Sequence, residues 1–151
     1  MSEDADEALM AAALDEARRG LEAGEVPVGA VVVVEGENVA RAHNAPIALA
    51  DPTAPAEVLA LREAARRVGN YRLTGATLFA TVEPCPMCCG AILHARVSRV
   101  VYGALDPKAG AVESLYRLLD DARLNHRVAT RGGVLAGDSA LLLRTFFEAR
   151  R

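Results

Sequence analysis

Two cysteines separated by two residues form the segment of this sequence most suited to chemistry. The segment Glu83-Pro84-Cys85-Pro86-Met87-Cys88 directly follows a predicted strand and opens a predicted helix. In the first turn of a helix both thiols can face one point, and the backbone N–H groups and the helix dipole favour their thiolate forms. The pair is therefore half of a zinc site, a thiol redox couple or two small buried residues. Cys89 points about 100° away from Cys88 on a helix, which predicts that it packs in the interior.

A second segment, Asp51-Pro52-Thr53-Ala54-Pro55-Ala56-Glu57, opens an earlier predicted helix. Taken alone, Glu57 is an exposed acid in a first helical turn, stabilised by the helix dipole. Zinc-dependent nucleobase deaminases carry the pattern H-x-E followed later by P-C-x-x-C. Here Pro55-Ala56-Glu57 is followed by Pro84-Cys85-Pro86-Met87-Cys88, so the chain resembles that family.

The resemblance covers about residues 5–151 and extends well beyond the two motifs. Residues 24–30 are similar to the first strand of the family and the approach to it. Residues 103–111, 125–128 and 133–151 resemble the bacterial tRNA adenosine deaminases in particular. These last segments separate the chain from the small-molecule cytidine and guanine deaminases better than the zinc motif does.

The resemblance implies a reaction and a set of roles. One zinc ion per chain would be held by Cys85 and Cys88, and Glu57 would carry protons between water, the ring nitrogen and the departing ammonia. The reaction would convert adenosine to inosine by hydrolysis at the wobble position of a tRNA anticodon loop, catalysed by a homodimer that binds the anticodon stem-loop. The implied substrate-binding residues are Asn44, Val28, Phe146, Phe147, Arg150 and Arg151.

The sequence departs from the family pattern at Pro55, which stands where the zinc-binding His belongs. Proline offers a metal no lone pair, whereas catalytic zinc normally has three protein ligands and a water. Since proline is well tolerated at the start of a helix, we expect a folded chain whose metal site is damaged or rebuilt. His43 and Asp51, in the neighbouring loop region, are the candidate replacements for the third ligand. Otherwise Pro55 is an engineered or accidental change, or marks a natural inactive homologue.

Three other functions stay open beside the tRNA enzyme. A catalytically inactive RNA-binding homologue or partner subunit is favoured by Pro55. A free nucleobase or nucleoside deaminase is disfavoured by the similarity of the C-terminal segments. A thiol redox protein is disfavoured, because it would leave the presence of Glu57 and the surrounding motifs unexplained.

The predicted strands alternate with helices along the chain. This order predicts an α/β fold in which helices cover a sheet and position these residues. The resemblance narrows this to a three-layer α-β-α sandwich of the cytidine deaminase type, with a mixed sheet. Turn-forming residues separate the elements. We predict helices at 4–23, 55–68, 86–95, 112–119 and 138–150, strands at 28–34, up to 43, 77–82 and 97–102, and loops at 46–55 and 103–111.

The length of the chain predicts a single domain over residues 1–151, and the resemblance implies that it is a deaminase domain. No apolar run approaches the length that spans a membrane, and the acidic N-terminus lacks the pattern of a secretion signal. The three cysteines lie within five residues, which excludes a disulfide framework and favours a reducing cytoplasm.

The charge is unevenly distributed along the chain. The net charge of −3 argues against a broadly basic coat protein for nucleic acid. Residues 117–151 nevertheless carry seven Arg and four acids, a net +3. Phe146 and Phe147 fall in the same segment and, being adjacent, face different sides of a helix. We expect one to lie in the core and the other to contact a nucleotide.

Overall fold

The computed structural model describes residues 2–150, which form one mixed five-stranded sheet covered by helices. The order of the strands is β2-β1-β3-β4-β5. The strands are β1 (Gly29–Val34), β2 (Glu37–His43), β3 (Thr77–Val82), β4 (Arg99–Ala104) and β5 (Ala129–Arg131). The helices are α1 (Glu3–Glu22), α2 (Pro46–Leu49), α3 (Ala56–Val68), α4 (Pro86–His94) and α5 (Ala136–Glu148), with a short 3₁₀ helix at Leu118–Asp120.

The direction of the central strands places the cysteine helix at one end of the sheet. β1 runs antiparallel to both β2 and β3, whereas β3, β4 and β5 run parallel. A parallel pair needs a crossover connection, and α4 supplies it between β3 and β4. Every residue of β3 is buried. The cysteine motif therefore begins where a buried central strand ends.

Side chains of the central strands point alternately to two apolar cores, one on each face of the sheet. On one face Val31, Phe79 and Val101 pack with Met10 and Leu14 of α1, and α5 contributes Leu142. The other face is covered by α3 and α4, through buried side chains that include Ala60, Leu61, Ile92, Leu78 and Val100. The predicted three-layer α-β-α sandwich with a mixed sheet is confirmed.

The predicted elements differ from the structure chiefly in four places. The predicted helix at 112–119 is wrong: this segment consists of turns followed by the 3₁₀ helix, because the N–H groups of Leu115 and Leu118 donate to the carbonyl oxygens of Gly110 and Ala111 rather than to those four residues back. The Glu83 carboxylate accepts the N–H groups of Val112, Glu113 and Ser114 and so holds the turns. The predicted loop at 46–55 contains α2, and the fourth strand lies at Arg99–Ala104 rather than 97–102. β5, with three residues, was not predicted. Across residues 2–150, no helix is long and apolar enough to cross a membrane.

Candidate metal and catalytic centre

The two thiols of the cysteine motif lie side by side at the N-terminus of α4. Cys85 is the N-cap residue of this helix, and its Sγ lies 3.6 Å from the Sγ of Cys88. The Cys85 side chain is half-buried, whereas Cys88 is buried. Cys89 is also buried, with its Sγ 3.8 Å from the Pro84 carbonyl oxygen. The predicted packing role of Cys89 is therefore confirmed.

The environment shifts the pKa values of the two thiols in opposite directions. The hydrogen bond with the Cys88 thiol, helped by the N–H groups of Cys88 and Met87, lowers the pKa of Cys85 to about 6 although burial opposes this. The same thiol contact, together with burial, raises the pKa of Cys88. Without a metal the pair therefore holds one thiolate and one thiol near neutral pH.

Glu57 lies against this pair, in the first turn of α3. Its side chain is 4% exposed, and its Oε1 is buried without a hydrogen-bond partner among the described residues. Burial raises the pKa of this carboxyl to about 7, and the negative charge of Cys85 contributes in the same direction. A buried acid that titrates near neutral pH is suited to proton transfer. The local sequence alone suggested that Glu57 is exposed, whereas the structure shows it buried.

The start of α3 depends on Asn44. Pro55 is the N-cap residue, and its carbonyl oxygen accepts the N–H of Leu59 at 3.2 Å. Its side chain has no acceptor for the free N–H groups of the first turn. The amide oxygen of Asn44 instead accepts the N–H of Ala56 at 2.8 Å. The amide nitrogen of Asn44 has no hydrogen-bond partner within residues 2–150, so it remains available to a ligand.

The residues at this site do not make up the donor set of a catalytic zinc centre. Two thiols suit zinc, but a third protein ligand is needed. Within the described chain, no group of three or more His, Cys, Asp or Glu side chains is placed to hold a metal ion. The His43 Nδ1 lies 3.0 Å from the Asn44 carbonyl oxygen, and Asp51 accepts the N–H and hydroxyl of Thr53. Neither candidate replacement completes a three-ligand set in this arrangement.

Two buried glutamates that the sequence analysis did not identify hold the loops around the site. Glu25 accepts the N–H groups of Ile47 and Ala48 and so caps α2, which leads towards Pro55. Glu83 accepts four backbone N–H groups from residues 106–114. Burial alone would raise the pKa of Glu83, but these donors outweigh it and lower that pKa. The only signal in the sequence was the position of each acid beside a buried strand.

The C-terminal helix presents one phenylalanine to the core and one to solvent. Phe146 is 7% exposed and Phe147 is 51% exposed, which confirms the predicted difference between them. The Arg150 guanidinium stacks 4.0 Å from the centre of the Phe146 ring and donates to the Gly24 carbonyl oxygen at 2.9 Å. Arg151, predicted to contact substrate, lies outside the described residues.

A shallow groove of about 600 Å³ runs beside the exposed face of α5. Lys108, Arg144 and Arg150 supply three positive charges to it against the one negative charge of Glu148, and Phe147 supplies an aromatic face. Val28, the other predicted substrate contact, is partly buried beside Asn44, and its carbonyl oxygen accepts the Asn44 N–H at 3.1 Å. The predicted contacts therefore fall in two places, near Glu57 and on α5.

A family profile described as the cytidine and deoxycytidylate deaminase zinc-binding region matches residues 3–104. The match includes α3 and α4, which carry both halves of the site. The chain belongs to the cytidine and deoxycytidylate deaminase family. The resemblance inferred from the sequence is confirmed, and zinc is the metal of this family's binding region.

The similarity of this deaminase chain to known proteins extends beyond the zinc-binding region. It is 46% identical over 147 residues to the tRNA-specific adenosine deaminase of Haemophilus influenzae, covering 97% of this chain and 85% of the relative. It is 44% identical, with a TM-score of 0.87, to a structure from a study of A-to-I editing by tRNA:A34 deaminases at the wobble position of transfer RNA, covering 89% of this chain and 98% of that one. A guanine deaminase structure from Bacillus subtilis is 42% identical, with a TM-score of 0.63, covering 66% of this chain and 64% of that one. By family the chain is a hydrolytic deaminase.

Proposed function

We propose that this chain acts on the adenosine at the wobble position of a tRNA anticodon loop and converts it to inosine, and that Pro55 impairs the reaction. The observation that carries the proposal is the extent of the similarity. The profile shared by the whole family ends at residue 104, whereas the tRNA-specific relative matches 97% of the chain. The similarity therefore includes the C-terminal elements that carry the basic groove.

In the proposed reaction Glu57 transfers protons and Asn44 binds the base. Hydrolytic deamination moves a proton from water to the base and then to the departing amine, and Glu57 is a buried carboxyl with a pKa of about 7. In this proposal the amide nitrogen of Asn44, which has no hydrogen-bond partner among residues 2–150, donates to the edge of the base. The zinc of the family supplies activation of water. Because the donor set is incomplete here, we assign no step of this chain to a metal.

The proposed partner is the anticodon stem-loop. A flipped-out base must leave its stack to enter a closed pocket, and the neighbouring nucleotides need an aromatic face and local positive charge. Phe147, Lys108 and Arg144 provide both beside α5. We further propose one deaminase domain over residues 1–151, a homodimer, and a place in the cytoplasm, where tRNA is processed.

The test compares inosine formation by the native chain and by Pro55→His, each supplied with zinc, on an anticodon stem-loop with a wobble adenosine. We expect little inosine from the native chain and restored turnover from the variant. Pro55→His with Glu57→Gln is the matched control and should be inactive. If neither the native chain nor Pro55→His forms inosine, the proposal of a deaminase fails.

Two other functions have specific support and are separated by related assays. The similarity to a guanine deaminase favours a free nucleobase or nucleoside substrate. Turnover of guanine or free adenosine by Pro55→His, without turnover of the stem-loop, would replace the tRNA assignment. Pro55 itself favours an inactive RNA-binding homologue or partner subunit, which predicts stem-loop binding that no substitution converts into activity.

A further inference from the structure

We propose that Cys85 and Cys88 of this chain form a reversible intramolecular disulfide. This inference goes beyond the proposed function, because it rests on the packing of the two thiols and on the incomplete donor set. It does not require that the chain binds tRNA or deaminates any base.

The two sulfurs are already close to bonding distance. Their separation of 3.6 Å compares with roughly 2.05 Å in a disulfide, so an approach of about 1.5 Å closes the bond. The N-cap position and the third position of one helix bring both side chains to the same side of the first turn. Closure is therefore a local rearrangement at the end of α4.

The exposure of each thiol determines which one reacts first with an oxidant. Cys85 is half-buried and lies next to the exposed Pro86 and Met87, so a small oxidant can reach it. Cys88 is buried directly behind it, in the position of a resolving thiol. Cys89 is buried with its sulfur 3.8 Å from the Pro84 carbonyl oxygen, whereas the sulfurs of Cys85 and Cys88 contact each other. The geometry thus selects one pairing out of three.

Pro55 removes the protection that a metal gives to such a pair. Metal-bound thiolates are held as ligands and are not free to attack a disulfide. Loss of an outer partner alone lowers metal affinity roughly 10 to 100-fold, and the loss of a direct ligand is expected to cost more. The thiols of this chain are therefore available for exchange where those of a three-ligand site are not.

Oxidation by a small disulfide proceeds in two balanced exchanges. The Cys85 thiolate attacks one sulfur of the reagent, which breaks the reagent's S–S bond and releases one thiolate. The Cys88 sulfur then attacks the sulfur of Cys85, which breaks the mixed disulfide and releases the second thiolate. Two protons from the protein thiols end on the two released thiols. The protein pair is oxidised by two electrons and the reagent is reduced by two.

The experiment equilibrates the native chain with glutathione disulfide, quenches with acid, and counts thiols after unfolding. Of the three thiols, one should remain, the mass should fall by two hydrogen atoms, and peptide mapping should join Cys85 to Cys88. In Cys89→Ser, which keeps the pair, no thiol should remain. In Cys88→Ser, glutathione should stay attached to Cys85. Circular dichroism of each variant shows whether it is folded.

Pro55→His loaded with zinc is the protected control and should keep all three thiols under the same conditions. The proposal is overturned if the native chain keeps three thiols, if glutathione stays attached to its Cys85, or if Cys89 enters the bond. Failure of stem-loop deamination has no bearing on these results, so the two proposals are tested independently.

Discussion

The Asn44 side chain stabilises the start of α3 and, in the proposed function, also contacts the substrate base. Its amide oxygen accepts the Ala56 N–H and replaces the cap that Pro55 lacks. Its amide nitrogen has no hydrogen-bond partner in the described part of the chain. The two atoms of one amide therefore carry separable roles.

The substitutions Asn44→Asp and Asn44→Ala separate these roles. Asn44→Asp keeps an acceptor for Ala56, so its free energy of unfolding should stay near that of the native chain. Asn44→Ala removes the cap and should lose about 1 kcal/mol of stability in urea unfolding. In the Pro55→His background both variants should raise the KM for the stem-loop. An Asn44→Asp enzyme with unchanged KM would rule out the contact with the base.

Buried acids fix the elements around the site in ways that short sequence patterns do not reveal. The strand over β1 was predicted because residues 28–34 form a β-branched run, which is typical of a buried strand. The segment 112–119 has helical spacing, but the N–H groups of Leu115 and Leu118 donate to the carbonyl oxygens of Gly110 and Ala111 instead of to those four residues back. Glu83 accepts the N–H groups of the turns at residues 112–114. The loss of the third ligand could be predicted from the residue type at Pro55. The roles of Glu25 and Glu83 could not, because they depend on hydrogen bonds to backbone groups that are distant in the sequence.

Gly110→Ala tests how tightly Glu83 holds its loop. A Cβ at this position would clash with the Glu83 carboxyl group, which must then move and lose its N–H donors. We expect a loss of roughly 1–3 kcal/mol in the free energy of unfolding. Gly137→Ala, where a Cβ meets nothing within 4 Å, should be neutral or stabilising. Equal stability of the two variants would show that the loop adapts freely.

The ion pairs of Asp6 tie α1 to the parallel half of the sheet. This buried carboxylate contacts Arg99 of β4 and Arg131 of β5, each at 2.6 Å. The hydrogen bond from Arg99, opposed by burial and aided by Arg131, lowers the pKa of Asp6. The stabilisation is thus present above the unfolded pKa, about 3.9, and is lost as the pH falls through the lower folded pKa.

Asp6→Asn removes this contribution. We expect a loss of about 2 kcal/mol at pH 7 and a smaller decrease in stability than in the native chain between pH 5 and about pH 2. Urea unfolding of both proteins across that range measures the difference. Parallel pH profiles would show that the ion pairs contribute no pH-dependent stability.

The whole molecule is acidic on average but basic where the proposed RNA surface lies. The net charge of −3 argued against a nucleic-acid coat, yet residues 117–151 carry a net +3. The groove beside α5 adds Lys108 from the loop after β4. Local charge of this kind suits a stem-loop better than a long duplex.

The substitutions Lys108→Ala and Arg144→Ala test this surface without any need for catalysis. Each should weaken binding of the stem-loop, and removal of one phosphate-binding cation should reduce the salt slope of log K by about 1. Arg18→Ala, which removes an exposed charge on α1, is the matched control and should change binding little. An equal decrease in affinity in all three variants would indicate nonspecific attraction.

We propose that Pro55 removes the third zinc ligand from this member of the deaminase family. Elemental analysis of the native chain and of Pro55→His, both purified and dialysed together against a weak chelator with limiting zinc, tests it directly. We predict close to one zinc per chain in Pro55→His and much less in the native chain. Equal zinc occupancy in the two proteins would show that this chain holds zinc without a histidine at position 55.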